Sequence, residues 1–373
     1  MEPSRRAFFG ATATILAAGL TSGCAPDTAK REAPASVPPT GRFQAGVTTP
    51  HSAQANLLVV VVDVVNGTAI GSLLAELGET VRALTAGTDA RLLGLPPGDL
   101  TVTIGVGPQL VRAVDPSLPG ALDLQPFSHE RIAPQARGGD LLLQICANDA
   151  MIPTIAAAAL LRQAGDRVRE RWRQSGHRGS TVPVEGSRTA PRNPFGFTDG
   201  VVGPHTAAQQ GRDLWLPGPV PVAGGTIAVL RRMELDLPRF AALPVTEQEA
   251  VFGRHRGTGE PLSGGTIASD PDLGAKTPDG RYLIPVGSHV RRAHSAVVGV
   301  SLMLRRSYSI DEPAPGLLFI SFQNDVKTFT NTLTHMENGD ALLPFTTTTA
   351  SATFLVLPGF DDTHPLGATL FAR

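Results

Sequence analysis

The stretches LLLQICAND (residues 141–149) and LLFISFQND (residues 317–325) carry the same pattern in this 373-residue chain. Each begins with Leu-Leu after a glycine-containing turn, ends with Asn-Asp and runs into a segment with helical spacing of its apolar residues. A strand-to-helix junction that recurs 176 residues later indicates a duplicated structural unit.

The segments around the two junctions alternate between strand and helix patterns, as in the split βαβ or ferredoxin-like arrangement. We therefore predict an α+β fold of two tandem ferredoxin-like domains with antiparallel sheets, at residues 54–190 and 191–373. The predicted strands are 56–65, 101–106, 141–147, 226–231, 298–304, 317–322 and 353–357, and the predicted helices are 68–86, 152–164, 246–252 and 326–336.

The first 53 residues have the pattern of an export signal followed by a tether. Arg5-Arg6 precedes Phe8-Phe9 and an apolar stretch, 11–23, that is too short to span a bilayer. This pattern favours a twin-arginine signal over an ordinary secretory signal, and it predicts an extracellular, periplasmic or cell-envelope location. Because the twin-arginine route carries folded proteins, it also points to a cofactor acquired before export.

Two processing routes remain open for this leader. Cys24 follows Leu20-Thr21-Ser22-Gly23, a loose lipobox, so lipidation of Cys24 would anchor the protein to a membrane. Plain cleavage near residues 33–35 would release it instead. Residues 25–53 are rich in Pro, Ala and Thr, and this composition predicts a flexible tether.

Composition excludes several classes of protein. Lys and Arg number 32 against 33 Asp and Glu, so the chain lacks the basic surplus that a general nucleic-acid binder needs. Cys24 lies in the leader, which leaves Cys146 as the one cysteine of the mature chain and excludes a disulfide framework or a cysteine-rich metal site. Whether the protein forms a homo-oligomer stays open.

The nine histidines show no HxH, HExxH or His/Cys pair with the spacing of metal ligands. A multi-ligand zinc site is therefore not expected. A cofactor that needs one protein ligand remains compatible with the sequence, and heme is the obvious case.

Three segments of the second half support heme: NPFGFTDG at 193–200, GSHVRR at 287–292 and LMLRRSY at 302–308. In their order and spacing they resemble the dye-decolorizing peroxidases, most closely the exported branch that includes the deferrochelatase/peroxidase proteins. GRH at 253–255 with TGEPL at 258–262 resembles a further family segment. The resemblance covers residues 55–373.

This resemblance implies one heme b per chain, bound in the C-terminal domain, and a peroxidase that reduces hydrogen peroxide and oxidises dyes, phenolics and other one-electron donors. His289 would be the proximal iron ligand, Asp199 the distal acid–base residue and Arg305 the distal arginine. Arg291 would face a heme propionate. Gly200, Val201 and Arg305 would also contact the cofactor.

The residue types suit these roles. An imidazole can bind iron through Nε2 while its Nδ1–H donates to an acceptor. A carboxylate that is ionised when peroxide arrives can move a proton between the two peroxide oxygens. A guanidinium beside it favours the ionised carboxylate and stabilises the negative charge on the departing oxygen.

Simpler interpretations of the same residues stay open at this stage. Asp199 could be a turn residue, because Asp-Gly is a common turn pair. His294, in a His-Ser-Ala segment where relatives often have Asn-Pro-Arg, competes with His289 as the ligand. Arg306 competes with Arg305, although neighbouring strand residues point to opposite faces and one alone can enter a pocket. Asp325 is either the acceptor for the proximal imidazole or a helix cap.

Alternative functions also remain. A deferrochelatase would release iron from heme and leave the porphyrin intact, using the same pocket. A heme carrier in iron uptake would turn over no substrate, but it would have no use for an acid–base pair such as Asp199 and Arg305. Bulky donors that cannot reach a buried heme need aromatic relays, for which the candidates are Trp172, Trp215, Tyr282 and Tyr308.

Overall fold

The computed structural model describes residues 36–186 and 188–371. The strands are β1 Asn56–Val64, β2 Thr101–Val106, β3 Leu141–Ala147, β4 Val168–His177, β5 Thr181–Glu185, β6 Arg188–Pro191, β7 Thr226–Leu235, β8 Leu304–Arg305, β9 Tyr308–Ile310, β10 Gly316–Gln323 and β11 Thr346–Val356. The helices are α1 Ile70–Thr85, α2 Pro108–Val114, α3 Ile152–Ala164, α4 Ala207–Asp213, α5 Leu237–Ala241, α6 Val245–Phe252, α7 His289–Arg292, α8 Ser295–Val298 and α9 Val326–Glu337.

Eight antiparallel strands form a closed ring in the order β7-β11-β2-β3-β1-β4-β9-β10, and the ring closes because β10 also pairs with β7. The short strand β8 pairs with β10 beside β9. The fold is therefore a mixed helix and sheet structure built on a barrel-like sheet. Closure leaves fewer unpaired strand edges than an open sheet would.

The ring consists of two sets of four strands that meet at two short seams. One set has the order β4-β1-β3-β2, and the other has β11-β7-β10 with β8 and β9 at its end. If the strands of each set are numbered along the chain, with β8 and β9 counted together as the second strand of the second set, both orders are 4-1-3-2. At the seams, β4 pairs with β9 at His177 and Ser309, and β11 pairs with β2 at two positions.

Alternating residues of these strands fill the barrel interior. The interior cluster includes Val59 of β1, Leu142 of β3, Leu230 of β7, Phe322 of β10 and Phe354 of β11. The period of two explains why the neighbouring residues of each strand point outward.

The outer faces of the two sets of strands are covered differently. On the first set, α1 and α3 pack directly against the outward residues of β1 to β3 in a continuous apolar core. On the second set, α9 covers part of the outer face, and a cavity separates much of the rest of β7 and β10 from the segments above. This difference makes the cavity on the second set the candidate functional site.

One predicted strand is wrong, and one long strand was missed. The apolar run 298–304 forms the end of α8 and a loop, and only Leu304 and Arg305 pair as a strand. Strand β4 was not predicted because charged residues occupy its outward positions, while Trp172 and Gln174 are buried on its other face.

The predicted tether is also wrong for its described C-terminal part. Phe43 stacks on Trp215 with ring centroids 3.9 Å apart, and Val47 is buried in the barrel core. The buried Gln44 side chain donates to the carbonyls of Ile104 and Leu357. These contacts order residues that composition alone predicted to be flexible.

The leader predictions lie outside the described residues. They concern Arg5-Arg6, Cys24 and the cleavage site near residues 33–35. Within the described ranges, no helix has both the length and the apolar character needed to cross a bilayer.

Phe322→Ala should lower the free energy of unfolding by about 3–5 kcal/mol, because it opens a cavity in the barrel interior where Phe322 is fully buried. The matched control is Leu93→Ala, at a side chain that is 86% exposed, and it should change stability little. Thermal unfolding followed by circular dichroism compares the two. Equal midpoints for both variants would contradict the interior position of Phe322.

Candidate functional site

The cavity outside β7 and β10 has a volume of about 600 Å³ and mainly apolar walls. Strands β7 and β10 form its floor, α9 closes one side, and the segments 193–205, 268–271 and 289–303 complete it. Its apolar lining includes Phe195, Phe197, Phe252, Leu317, Phe319, Phe329, Leu333 and Leu342. A cavity of this size and character is typical of cofactor sites.

His289 begins α7 and lies on the cavity wall. Its Nδ1 is 2.8 Å from Oδ2 of Asp340, whose side chain is completely buried. The other oxygen of Asp340 accepts a hydrogen bond from the backbone N–H of Leu342 at 2.8 Å. Asp340 therefore fixes the ring and directs the proton to Nδ1, and Nε2 makes no hydrogen bond within the described part of the chain.

The packing around His289 is aromatic. Phe252 contacts the imidazole edge-on with ring centroids 6.0 Å apart, and Phe197 stacks on Phe252 at 3.8 Å. These rings restrict the orientation of the imidazole.

The acceptor for His289 is thus Asp340 and not Asp325. Asp325 caps α9 by accepting from the N–H of Lys327, and Asp149 makes the equivalent bond to Met151 N at the start of α3. The repeated Asn-Asp pairs are therefore helix starts. No sequence pattern marked Asp340, which precedes a short 3-10 turn at 343–345 and is brought to α7 by the fold.

Asp199 and Arg305, the predicted distal pair, lie beside each other on the cavity wall. Arg305 Nε lies 3.7 Å from Asp199 Oδ1, and about a quarter of each side chain is exposed. Asp199 Oδ1 also accepts from the N–H of Gly200 at 2.7 Å. Gly200 has a positive φ of 74°, which a glycine adopts easily. The tight turn at Gly200 therefore also holds the Asp199 carboxylate in place.

Arg306 points away from the large cavity. It is buried, and its Nη1 donates to the carbonyls of Val47 and Pro50 at 3.0 Å. Of the two neighbouring arginines, Arg305 alone lines the large cavity.

Arg291 does not take the predicted position. Its guanidinium donates to the carbonyls of Leu273 and Ile284 and stacks over the Tyr282 ring at 4.6 Å. It is not among the residues that line the cavity. The prediction that Arg291 faces a propionate is therefore wrong: α7 turns by about 100° per residue, and a side chain two positions after His289 leaves on another side.

Of the other residues predicted to contact the cofactor, one lines the large cavity and one does not. Val201 is buried and lines the cavity, whereas Gly200 lines only a smaller pocket beside it. His294 also reaches the cavity wall, but its Nε2 pairs with Asp270 at 3.1 Å. A histidine already paired through Nε2 is a poorer iron ligand than His289.

Arg254, from the GRH segment, adds a buried cation to the cavity wall. Its Nη1 donates to the carbonyls of Gly259 and Ile267, and it has no carboxylate within 4 Å among the described residues. Burial, and then the nearby charge of Arg305, lower the pKa of Arg254 to about 10.

The aromatic relay candidates differ in their access to solvent. Trp172, Trp215 and Tyr308 are buried, and Tyr282 is partly exposed beneath Lys276.

Among the described residues, no group of three His, Cys, Asp or Glu side chains converges on a metal position.

Comparison with known proteins identifies relatives over most of the described residues. Family models for Dyp-type peroxidase, N-terminal, and Dyp-type peroxidase, C-terminal, match residues 44–178 and 190–361. A dye-decolorizing peroxidase of Thermobifida fusca is 34% identical over 295 residues, which is 74% of this chain and 68% of the relative. A deferrochelatase of Shigella sonnei is 29% identical over 367 residues, which is 88% of this chain and 86% of the relative.

A solved structure shows the same similarity. The oxyferrous complex of DtpA from Streptomyces lividans superposes with a TM-score of 0.83 at 30% sequence identity. The superposition covers 91% of this chain and 98% of that one.

His205, on the wall between the cavity and the smaller pocket, should titrate below the ordinary histidine value of about 6.5. Burial lowers its pKa and outweighs the opposing hydrogen bond from Nε2 to the carbonyl of Val201. Its protonation therefore destabilises the fold, and the stability present at neutral pH is lost as the pH falls through the lowered pKa. NMR of labelled histidine, with the signal assigned by its loss in His205→Gln, measures this pKa. A value at or above 6.5 would contradict the buried position.

Proposed function

The chain belongs to the Dyp-type peroxidase family and is a heme peroxidase, and we propose that His289 binds the heme iron while Asp199 and Arg305 act on hydrogen peroxide. The observation that carries the assignment is the pairing of His289 with the buried Asp340 on the wall of the same cavity that Asp199 and Arg305 line.

The residues present fit a heme. The cavity has apolar and aromatic walls for a porphyrin, and on its wall Nε2 of His289 makes no hydrogen bond within the described residues. Three buried polar atoms on its wall lack partners within the described residues: Thr198 Oγ1, His294 Nδ1 and Arg305 Nε. Such atoms are costly unless a ligand or water meets them. We assign Arg254, a buried cation without a carboxylate, to a heme carboxylate in place of Arg291.

Heme supplies the redox chemistry when bound, and the chain supplies the proton transfers. Asp340 holds His289 in the tautomer that presents Nε2 and increases the basicity of the ring. This interaction favours iron in a higher oxidation state.

Asp199 and Arg305 would handle the protons of hydrogen peroxide. The Asp199 carboxylate would accept the proton from one peroxide oxygen and return it to the other. Arg305 would face the Asp199 carboxylate and stabilise charge on the departing oxygen. The pair is separated by 3.7 Å, so Asp199 keeps an oxygen free of a tight ion pair.

The electron donors are proposed to be broad: dyes, phenolics and other molecules oxidised one electron at a time. The donor need not enter the cavity if an exposed aromatic residue relays electrons, and Tyr282 is the one partly exposed aromatic of the four candidates.

We also infer that each half of the chain is a ferredoxin-like unit, with the heme in the second. The 4-1-3-2 strand order of each set, and the helices that connect the strands, support this division. The repeated junctions at 141–149 and 317–325 occupy the same third position in both sets, which supports the duplication.

A deferrochelatase activity is the second candidate, because relatives of that name match most of the chain. It would release iron and leave the porphyrin intact in the same cavity. Mass spectrometry of heme after incubation with the protein distinguishes the two, since iron-free porphyrin forms only in the second case. The facing pair of Asp199 and Arg305 argues against a carrier that turns over no substrate.

His289→Ala should abolish tight heme binding, because it removes the imidazole that Asp340 holds on the cavity wall with its Nε2 unpaired among the described residues. His294→Ala is the matched control, since His294 also lines the cavity, and it should retain heme. Titration of the purified proteins with hemin, followed by the Soret band, measures both. A normal Soret band in His289→Ala together with its loss in His294→Ala would reverse the ligand assignment.

Asp199→Asn should slow the reaction of the holo-protein with peroxide by about 10²–10⁴-fold, because Asn keeps an acceptor for the Gly200 N–H but cannot take the proton. Arg305→Leu should slow it by about 10²–10³-fold. Asp270→Asn, at a carboxylate on the same cavity wall, is the control and should react normally. Stopped-flow absorbance gives the rates, and normal rates in both Asp199→Asn and Arg305→Leu would remove the proposed roles.

We propose export through the twin-arginine route, with lipidation of Cys24 as the step that would decide membrane attachment. The support is the sequence alone: Arg5-Arg6 before a short apolar stretch, and Cys24 after it. Replacing both Arg5 and Arg6 by Lys should retain the protein in the cytoplasm, and Arg31→Lys should not. Cell fractionation measures both, and export of the double variant would refute the route. Cys24→Ser should release any membrane-bound fraction if the cysteine is lipidated.

A further inference from the structure

Methionine side chains line more than one side of the large cavity. Met303 lies on its wall just before β8, and Met336 lies on its wall in α9. A third, Met233, is in the floor strand β7 and packs against the aromatic cluster that includes Phe197 and Phe252. The thioether of methionine is oxidised to a sulfoxide by peroxide, so its position in the cavity of a peroxidase has chemical consequences.

Met303 lies on the side of the cavity that carries Asp199 and Arg305. Leu304 packs against the barrel interior, so its neighbours Met303 and Arg305 point outward, and both line the cavity. Their Cα atoms are about 7 Å apart in an extended chain. The Asp199 segment also touches Met303, because a Cβ at Gly203 would lie 3.4 Å from the Met303 carbonyl oxygen. The flexible thioether can therefore reach the space beside the pair.

Met336 lies on the side of the cavity that carries His289. Four residues at helical spacing place one face of α9 on the cavity wall: Phe329, Thr332, Leu333 and Met336. The N–H of Asp340 donates to the carbonyl of Met336 at 2.8 Å, and Asp340 also holds His289. The cavity therefore has one methionine beside the distal pair and another beside the support of the proximal imidazole.

We propose that Met303 is a modification site, at which hydrogen peroxide bound beside Asp199 and Arg305 oxidises the sulfur to a sulfoxide. This proposal rests on the proposed function, because it requires peroxide to react on the side of the heme away from His289. Met336 then lies behind the heme and is spared.

The oxidation needs no reactant besides the peroxide. A lone pair of the Met303 sulfur forms a bond to one peroxide oxygen, the O–O bond breaks, and the other oxygen leaves as water. Asp199 can carry the proton of the attacked oxygen to the departing one. The sulfur loses the electron pair that the peroxide gains.

Oxidation of Met303 should slow the reaction with peroxide. A sulfoxide is polar, and its oxygen accepts hydrogen bonds. Arg305 leaves the same side of the chain two residues later, and a hydrogen bond from its guanidinium to the sulfoxide would compete with Asp199 and the substrate. Because reductases return methionine sulfoxide to methionine, Met303 would act as a reversible limit on turnover when peroxide is in excess.

Peptide mass spectrometry of the heme-loaded protein after exposure to hydrogen peroxide tests the site, by measuring the gain of an oxygen atom at each methionine. Met151, which is 63% exposed, reports oxidation by peroxide in the solvent. The ratio of Met303 to Met151 oxidation should be several-fold higher with heme than without it, and the ratio for Met336 should not rise. Oxidation of Met336 as fast as Met303, or a Met303 ratio that heme does not change, would overturn the proposal.

A pair of carboxylate variants tests the part of Asp199 in this step. Asp199→Asn should lower the Met303 ratio in the heme-loaded protein, because Asn cannot carry the proton. Asp270→Asn, on the same cavity wall, is the control and should leave the ratio unchanged. Equal ratios in the two variants would contradict a reaction beside Asp199.

Two methionine variants test the effect on turnover. Leucine replaces methionine with little change in volume and cannot be oxidised in this way. After repeated additions of peroxide, Met303→Leu should retain a several-fold larger fraction of its own initial rate than the natural protein. Met336→Leu is the matched control and should lose activity as fast as the natural protein. Equal losses in the two variants would refute the limit on turnover.

Stopped-flow absorbance distinguishes failure of this proposal from failure of the proposed function. A heme-loaded protein that reacts with peroxide while Met303 stays unoxidised refutes the modification site alone. A heme-loaded protein that does not react with peroxide refutes the proposed function.

Discussion

The outer face of each half of the barrel must be covered, and this requirement determines where a cofactor can lie. On the first set of strands, α1 and α3 pack on β1 to β3 and leave no room. On the second set, Leu317 and Phe319 of β10 face a cavity instead of a second packed helix. The two halves share one strand order, so the difference comes from the segments that connect the strands.

Two carboxylates in this region suit different roles because their surroundings differ. Asp340 is fully buried and is satisfied by His289 and the N–H of Leu342, so it positions the imidazole and is not available to a substrate. Asp199 is partly exposed on the wall, held by Gly200 and faced by Arg305 at 3.7 Å. The first suits a fixed acceptor and the second suits a group that exchanges protons.

Much of this arrangement was predictable from sequence because the signals are local. Buried strands such as 56–64 and 141–147 are runs of apolar residues, and the GxxDG, His and Arg-Arg segments mark Asp199, His289 and Arg305. The rest depends on tertiary contacts. Asp340 lies 51 residues from His289, so no local pattern links the two. The charged outer face of β4 hides the apolar alternation that would have indicated a strand. The direction of the Arg291 side chain depends on its hydrogen bonds to the carbonyls of Leu273 and Ile284.

The proposed site for the heme iron is a single position, in the cavity of the second half beside His289. Anomalous diffraction at the iron edge, from crystals of the heme-loaded protein, measures that position directly. We expect a single iron site per chain within bonding distance of Nε2 of His289, with Asp199 and Arg305 on the opposite face of the heme. Iron bound at His294, or a heme seated against the first set of strands, would contradict the account.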